Sequence, residues 1–326
     1  MSQKIRMTKN GILCEANNEK VFLDPKKTDT SGINFVSHAH MDHLPSKNGG
    51  TILASIETNK IANLRGFKMQ NHVEKIDDYS LINNGHILGS KGLLFNDVFY
   101  TGDICTRDRG FLSCDKIPKC KTLITECTFF LPEFVFPKLD EIKKRVNELI
   151  SELYSKGIPV ILMGYQLGKA QTITQLFGHW SPLYFHDSVK QMNDLHKQLG
   201  VPLIDGLGHS EAQNQGLLDK KPWIMVTPMM SEKNNFLKEM RSKYGAVTIG
   251  FSGWAQSTRF PFGRRTDYSI PMSDHSDFNE LVDMVIQSGA EQVYTVHGFV
   301  DEFASHLRKM GISAQPLREN SLDDFI

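Results

Sequence analysis

The segment Ser37-His38-Ala39-His40-Met41-Asp42-His43 packs three imidazoles and a carboxylate into six residues. It continues a strand-like run, Ile33-Asn34-Phe35-Val36-Ser37. Imidazole and carboxylate are the ligands that zinc and similar divalent ions prefer. A chain with 12 His in 326 residues seldom gathers such groups so closely by chance, so the segment reads as a metal-binding loop. A loop can turn both the alternate pair, His38 and His40, and the adjacent pair, Asp42 and His43, inward. One short segment can then serve two ions.

One loop cannot complete two coordination shells. The remaining ligands should be His, Asp or Glu at strand ends further on. Asn84-Gly85-His86-Ile87-Leu88-Gly89-Ser90 offers His86 close to a glycine on each side, which suits close backbone packing. Thr101-Gly102-Asp103 offers Asp103 after the strand-like Val98-Phe99-Tyr100. Tyr294-Thr295-Val296-His297-Gly298 offers His297 at the end of another. A lone His or Asp at a strand end is usually structural, but three in the same kind of place support one another. His72, His179, His186, His196, His209 and His306 fall outside any metal spacing and read as structural or surface groups.

The texture of the chain changes near residue 130. Before it come short β segments (21–25, 33–37, 51–54, 93–95, 98–100 and 122–125) separated by turns. After it, Asp140 to Lys156 has helical periodicity, with Ile142, Val146, Ile150 and Leu153 on one face. A strand at 159–163, a helix from about Lys169 and a strand at 246–249 suggest a mostly parallel α/β layer. A loop from Ser269, a helix around 277–286, a strand at 292–296 and a helix from Val300 to Met310 complete the chain. The expected organisation is a β-rich domain interrupted by an α/β insertion.

Composition narrows the function classes. The chain balances 37 Lys+Arg against 37 Asp+Glu, which excludes binding of nucleic acid by bulk positive charge. Apolar residues at 40% and charged residues at 23% are ordinary for a globular protein. No apolar run approaches the ~20 residues that cross a membrane, and the N-terminus lacks the apolar core of a secretory signal. Five cysteines without CxxC spacing read as free thiols in a reducing cytoplasm.

The motifs HxHxDH, GHILGS, TGD and a late VHG, in that order, resemble the metallo-β-lactamase fold. Thr125-Glu126-Cys127-Thr128 stands just before the α/β stretch, and Met272-Ser273-Asp274-His275-Ser276-Asp277 just after it. That arrangement resembles the β-CASP nucleases. Gly164-Tyr165-Gln166-Leu167-Gly168-Lys169-Ala170-Gln171 and Phe251-Ser252-Gly253-Trp254-Ala255 are most similar to small prokaryotic members described as DNA ligase-associated exonucleases or messenger-RNA 3′-end processing factors. The resemblance spans roughly residues 20–315.

The resemblance implies an α+β architecture: a metallo-β-lactamase αββα sandwich over 1–130 and 267–326, with a β-CASP domain inserted at 131–266. It implies two divalent ions, zinc first and manganese second. His38, His40, His86 and Asp103 would hold one ion; Asp42, His43, Asp103 and His297 would hold the other. Asp24 would support the HxHxDH loop from behind. Glu126 and His275 would form a dyad in which the carboxylate orients the imidazole as general acid, alongside Asp42 as a catalytic group.

The chemistry suits these residue types. Phosphodiester hydrolysis needs a hydroxide at neutral pH, and metal binding lowers the pKa of water from 15.7 to about 7. The departing oxygen needs a proton, which a histidine can give. The expected function is a metal-dependent nuclease, an exonuclease on single-stranded nucleic acid or its ends, in DNA repair or RNA processing. A DNA ligase or helicase would be the associated partner, and the oligomeric state stays open. The alternative is a non-nucleolytic hydrolase of the same fold, such as a lactonase, thioesterase or β-lactamase.

Substrate contacts are expected from Lys169 at a helix N-terminus, from the Ser252 and Gly253 amides, and from Arg259, Arg264 and Arg265. The last three alternate with Phe260 and Phe262, which suits phosphate contact with base stacking; a solvated loop with a buried Phe reads equally well. The GxxxxGK[ST] phosphate loop is absent, so nucleoside triphosphate binding is not supported. Arg107, Arg109, Lys116, Lys119 and Lys121 read as an exposed rim.

Overall fold

The computed structural model describes residues 4–16, 19–47, 49–259 and 266–319. The chain forms two compact units, one running to Pro132 and resuming at His275, the other spanning Glu133–Asp274. Both mix helices with sheets, so the class is α+β.

The first unit opens with β1 (Lys4–Thr8), β2 (Gly11–Ala16), β3 (Glu19–Leu23), β4 (Ile33–Phe35), β5 (Thr51–Leu53), α1 (Ile56–Leu64) and β6 (His72–Val73). These six strands form one sheet in chain order. A second sheet begins with β7 (Ser80–Asn83), β8 (Lys91–Phe95), β9 (Val98–Tyr100) and β10 (Thr122–Cys127).

The second unit follows. It holds α2 (Leu139–Ser155), β11 (Val160–Gly164), α3 (Lys169–Phe177), β12 (Leu183–Phe185), α4 (Asp187–Gln198), β13 (Leu207–Gly208) and α5 (His209–Asn214). It continues with β14 (Ile224–Pro228), α6 (Asn235–Tyr244), β15 (Val247–Phe251) and β16 (Tyr268–Ile270). The sheet is parallel, in the order β13-β12-β14-β11-β15-β16. Along β11 the side chains alternate between two cores: Val160 and Leu162 join one cluster with α2 and α3, and Ile161 joins the other with α6. A parallel strand covered on both faces must be apolar throughout, which Val-Ile-Leu-Met satisfies.

The chain then returns to the first unit with α7 (Phe278–Ser288), β17 (Gln292–Gly298), α8 (Val300–Lys309) and β18 (Ser313–Pro316). The second sheet there runs β18-β17-β10-β9-β8-β7. One of its faces packs on the first sheet through Leu23, Phe35, Leu53, Tyr100, Ile124 and Val296. The other packs on α7 and α8 through Phe99, Leu123, Leu281, Val285, Phe303 and Leu307. The period of two along β9 sends Val98 and Tyr100 to one core and Phe99 to the other.

Two local features depart from the expectations. β1 and β2 precede the first expected strand. The stretch expected as a loop from Ser269 includes β16, which pairs with β15. That pairing carries the second unit on to Asp274, past the expected boundary at 266. Among the described residues, no helix is long and apolar enough to cross a membrane.

Candidate metal centre

Strand ends deliver the candidate ligands. β4 runs into the His38–His43 loop, with Val36 N–H bonded to Leu53 O in the neighbouring β5. β9, β10 and β17 lie parallel and adjacent, so Asp103, Glu126 and His297 leave the sheet at the same edge. His86 follows β7 and Gly85, whose φ of +72° and contact with Cys105 O leave no room for a Cβ.

The side chains converge. His40 Nδ1 lies 3.1 Å from His38 Nε2 and 3.1 Å from His86 Nε2. Asp103 Oδ2 lies 3.4 Å from His38 Nε2 and 3.6 Å from His86 Nε2. Four ligands at zinc–nitrogen bond lengths would stand about 3.3 Å apart at the corners of a tetrahedron. The observed spacings match that edge, so the four groups fit one metal ion. His38 and His86 are wholly buried.

The groups behind them fix the ring orientations. Asp24 accepts Ser37 N–H (2.7 Å), Ser37 Oγ–H (2.6 Å), His43 Nδ1–H (2.8 Å) and Tyr100 O–H (2.8 Å). The single Ser37 hydroxyl proton goes to Asp24, so His38 Nδ1–H donates to Ser37 Oγ at 2.9 Å. The Nε2 lone pair of His38 is therefore left for the centre, the arrangement expected of a ligating histidine. Burial pushes the Tyr100 hydroxyl well up, reinforced by Asp24, so it stays a donor.

The second expected set is looser. His43 Nε2 lies 3.5 Å from Asp103 Oδ2 and 3.7 Å from Asp42 Oδ2. The Asp42 side chain is 81% exposed. The His297 ring centroid is 5.6 Å from that of His43. His297 is the extra residue of a bulge, since Glu126 pairs with Val296 and Cys127 with Gly298. Its φ of +53° is left-handed.

The electrostatics favour a cation here. Burial and the neighbouring His43 push the His38 imidazolium well down, so its ring is neutral. Burial acts the same way on His43, but Asp103 and Asp24 override it and hold the imidazolium well above its usual range. Asp103 is held well below the usual carboxylate range despite burial, by His43, His38 and His275. The carboxylates create a demand for positive charge that a protonated ring or a bound ion meets.

Asp103 also belongs to a second group of ligand-type atoms lying within 4.8 Å of one another, with Glu126 and His275. His275 Nδ1–H donates to Glu126 Oε1 at 2.7 Å. Glu126 is buried and also accepts Ile104 N–H (2.8 Å) and Thr128 N–H (3.1 Å). The His275 ring lies 4.5 Å from His86 and 5.8 Å from Phe129, centroid to centroid.

The expected substrate contacts fare differently. Lys169 is 2% exposed, and its Nζ is bonded to Met272 O (2.8 Å) and Asp274 Oδ1 (2.9 Å). This corrects the expectation of an open anion site: a buried, paired ammonium cannot reach a phosphate. The Ser252 N–H is likewise taken by Ile270 O at 3.1 Å, and both Ser252 and Gly253 are buried. Arg259 is largely exposed, 3.5 Å from Glu133. Arg264 and Arg265 lie outside the described residues.

Two arginines expected on an exposed rim are structural instead. Arg109 is buried and donates through Nη2 to Gly85 O (2.5 Å) and His86 O (2.6 Å). Arg107 reaches His275 O at 2.6 Å and pairs with Glu280. Their alternation with Asp108 gave no signal that one side points in.

No family model matches the chain. It is 27% identical to a probable DNA ligase of Opitutus terrae in an alignment that covers 88% of this chain. It is 24% identical to an RNase J-like protein of Methanocaldococcus jannaschii in an alignment that covers 68% of this chain. The chain spans 29% of the first relative and 63% of the second. A solved structure of a protein of unknown function from Enterococcus faecalis V583 superposes with a TM-score of 0.62 at 15% identity. The match covers 97% of this chain and 96% of that one, so the two share a fold.

Proposed function

We propose that the protein is a metal-dependent nuclease that hydrolyses phosphodiester bonds in nucleic acid. In this reading the fold is a metallo-β-lactamase sandwich carrying a β-CASP insertion. The observation that carries it is the position of Asp103. One carboxylate sits in the His38–His40–His86 cluster and also beside the Glu126–His275 pair. An ester hydrolase that relies on metal alone has no use for that pair.

His38, His40, His86 and Asp103 would hold one divalent ion, and Asp42, His43, Asp103 and His297 a second. Zinc suits the ligand set best, with manganese as the other candidate. Such ions supply a nucleophile at neutral pH and neutralise the phosphate oxygens. The chain's own residues do the rest. Glu126, held by two backbone amides, takes the His275 Nδ1–H and so fixes the ring, which makes Nε2 the proton-donating atom. Nε2 delivers a proton to the departing sugar oxygen.

The names of the two relatives support action on nucleic acid. The longer match to the DNA ligase tilts the proposal towards exonucleolytic trimming of DNA ends, with RNA processing next. All five cysteines are free, which agrees with a cytoplasmic enzyme.

The test uses end-labelled single-stranded DNA and RNA with zinc or manganese. The parent protein should cleave at least one polymer. His275→Ala should lose 100-fold or more, roughly the worth of one general acid, and Asp103→Ala, which removes the carboxylate shared by the two metal sets, at least as much. A protein that binds about two metal equivalents yet cleaves neither polymer would sink the proposal in favour of a small-ester hydrolase.

A further inference from the structure

The four residues after Asp103 bind both halves of the Glu126–His275 dyad. Ile104 N–H donates to Glu126 Oε1, the same oxygen that accepts His275 Nδ1–H. Ile104 O accepts Ser276 N–H at 2.6 Å. Thr106 N–H donates to Ser276 Oγ at 3.0 Å. Arg107 Nη2 donates to His275 O at 2.6 Å, while its Nη1 pairs with Glu280 and lies 3.7 Å from Asp277. Asp277 and Glu280 are the two members of the capping box that starts α7.

We infer that Ile104–Arg107 is a splint that sets the proton-donating His275 in register with the metal centre, and that Arg107 is its main positioning residue. The inference rests on the nuclease reading. Its physical basis is continuity: Asp103 is fixed among the metal-type ligands, and the next residues carry that fixed position to the dyad through four hydrogen bonds, one to Glu126, one to the His275 carbonyl and two to Ser276 beside it. Arg107 spans two acceptors, the His275 carbonyl and the Glu280 carboxylate. A planar guanidinium can do this, whereas a lysine ammonium is a single point charge. The Arg107 side chain is 22% exposed and already engaged, so it is not placed to bind a phosphate itself.

The step at stake is protonation of the leaving group. The attacking water gives up one proton to bulk solvent as its oxygen bonds to phosphorus, the bond from phosphorus to the sugar oxygen breaks, that oxygen takes the Nε2 proton of His275, and Nε2 regains a proton from solvent before the next turnover. A displacement of about 1 Å in the donor costs on the order of 100-fold in rate.

The experiment compares two phosphodiesters with the full-length protein and manganese. A single-stranded oligonucleotide releases a poor leaving group that needs the proton. Bis(p-nitrophenyl) phosphate releases a phenolate that does not. Arg107→Met should lower kcat about 100-fold on the oligonucleotide, at unchanged KM. On the nitrophenyl ester it should lower kcat by less than about 3-fold, following the pattern of His275→Ala. Arg107→Lys should recover part of the loss. Ser276→Ala, which removes the acceptor of Thr106 N–H, should show the same selectivity to a smaller degree and serves if Arg107→Met folds poorly. The His275 Nδ1 proton, assigned by its disappearance in His275→Ala, should shift in the proton NMR spectrum of Arg107→Met.

Parallel losses on both substrates would reduce Arg107 to a stabilising residue and overturn the inference. So would an undiminished rate on the oligonucleotide. If the parent cleaves the ester but no oligonucleotide, the nuclease reading itself falls and the splint with it. If His275→Ala is selective and Arg107→Met is not, only the splint falls.

Discussion

Asp24 gathers four donors from three residues, Ser37, His43 and Tyr100, at a φ of +44°. Its two oxygens set the rotation of His43 directly and of His38 through Ser37. Asn tolerates the left-handed backbone, so Asp24→Asn tests the charge and acceptor pattern rather than the turn. The amide replaces one acceptor with a donor, which must face Ser37, His43 or Tyr100. Metal affinity should fall 10- to 100-fold, the usual cost of losing a partner behind a ligand. Competition with a chromophoric chelator measures it, and an unchanged affinity would mean that the loop holds its own shape. Asp24 was recognisable in the sequence only through the family resemblance, as the acidic position expected to support the HxHxDH loop. Tyr100 was not recognisable, because an aromatic closing an apolar strand looks the same whether or not its hydroxyl meets a carboxylate.

Helix α3 shows the same limit for an element. Its start is legible: Gly168, with a φ of +89°, precedes an apolar, well-spaced run. The helix forms as expected, but the purpose of Lys169 is reversed. A lysine at a helix N-terminus suggests anion binding only if it faces solvent, and here the whole first turn is buried. The carboxylate that claims it, Asp274, belongs to the last segment of the second unit, far off in sequence. Removing one partner of a buried pair leaves the other uncompensated, at a cost of about 3–5 kcal/mol. Lys169→Met should therefore lower unfolding stability by that order, read by denaturant titration. Lys169→Met with Asp274→Leu should recover more than half of it. If the double variant is as unstable as the single one, the pair is not what holds α3 down.

At the scale of the whole molecule, the alternation of strand and helix after residue 130 was legible, because a parallel layer leaves an apolar run for each strand. The pairing order was not. β11 lies between β14 and β15, which come later in the chain, and only packing on α2 and α6 from opposite faces decides that. In the same unit His196 of α4 is sealed away from water, with Nδ1–H bonded to Met192 O at 2.9 Å. Burial pushes its imidazolium down from 6.5 to about 4, against the weaker opposing effect of that carbonyl. The sign follows from proton counting. Between about pH 6.5 and pH 4 the unfolded chain binds this proton and the folded chain does not. Acid therefore draws the equilibrium towards unfolding across that window, while stability above it is complete. At roughly 1.4 kcal/mol per pH unit, the whole effect is about 3 kcal/mol. Replacing the ring by a group that cannot titrate isolates it from the carboxylates that change charge in the same range. The stability difference between the parent protein and His196→Gln should be constant above pH 7 and shrink steadily from pH 6.5 to 4. Parallel stability curves for the two proteins across that window would show that His196 takes up its proton without leaving the fold.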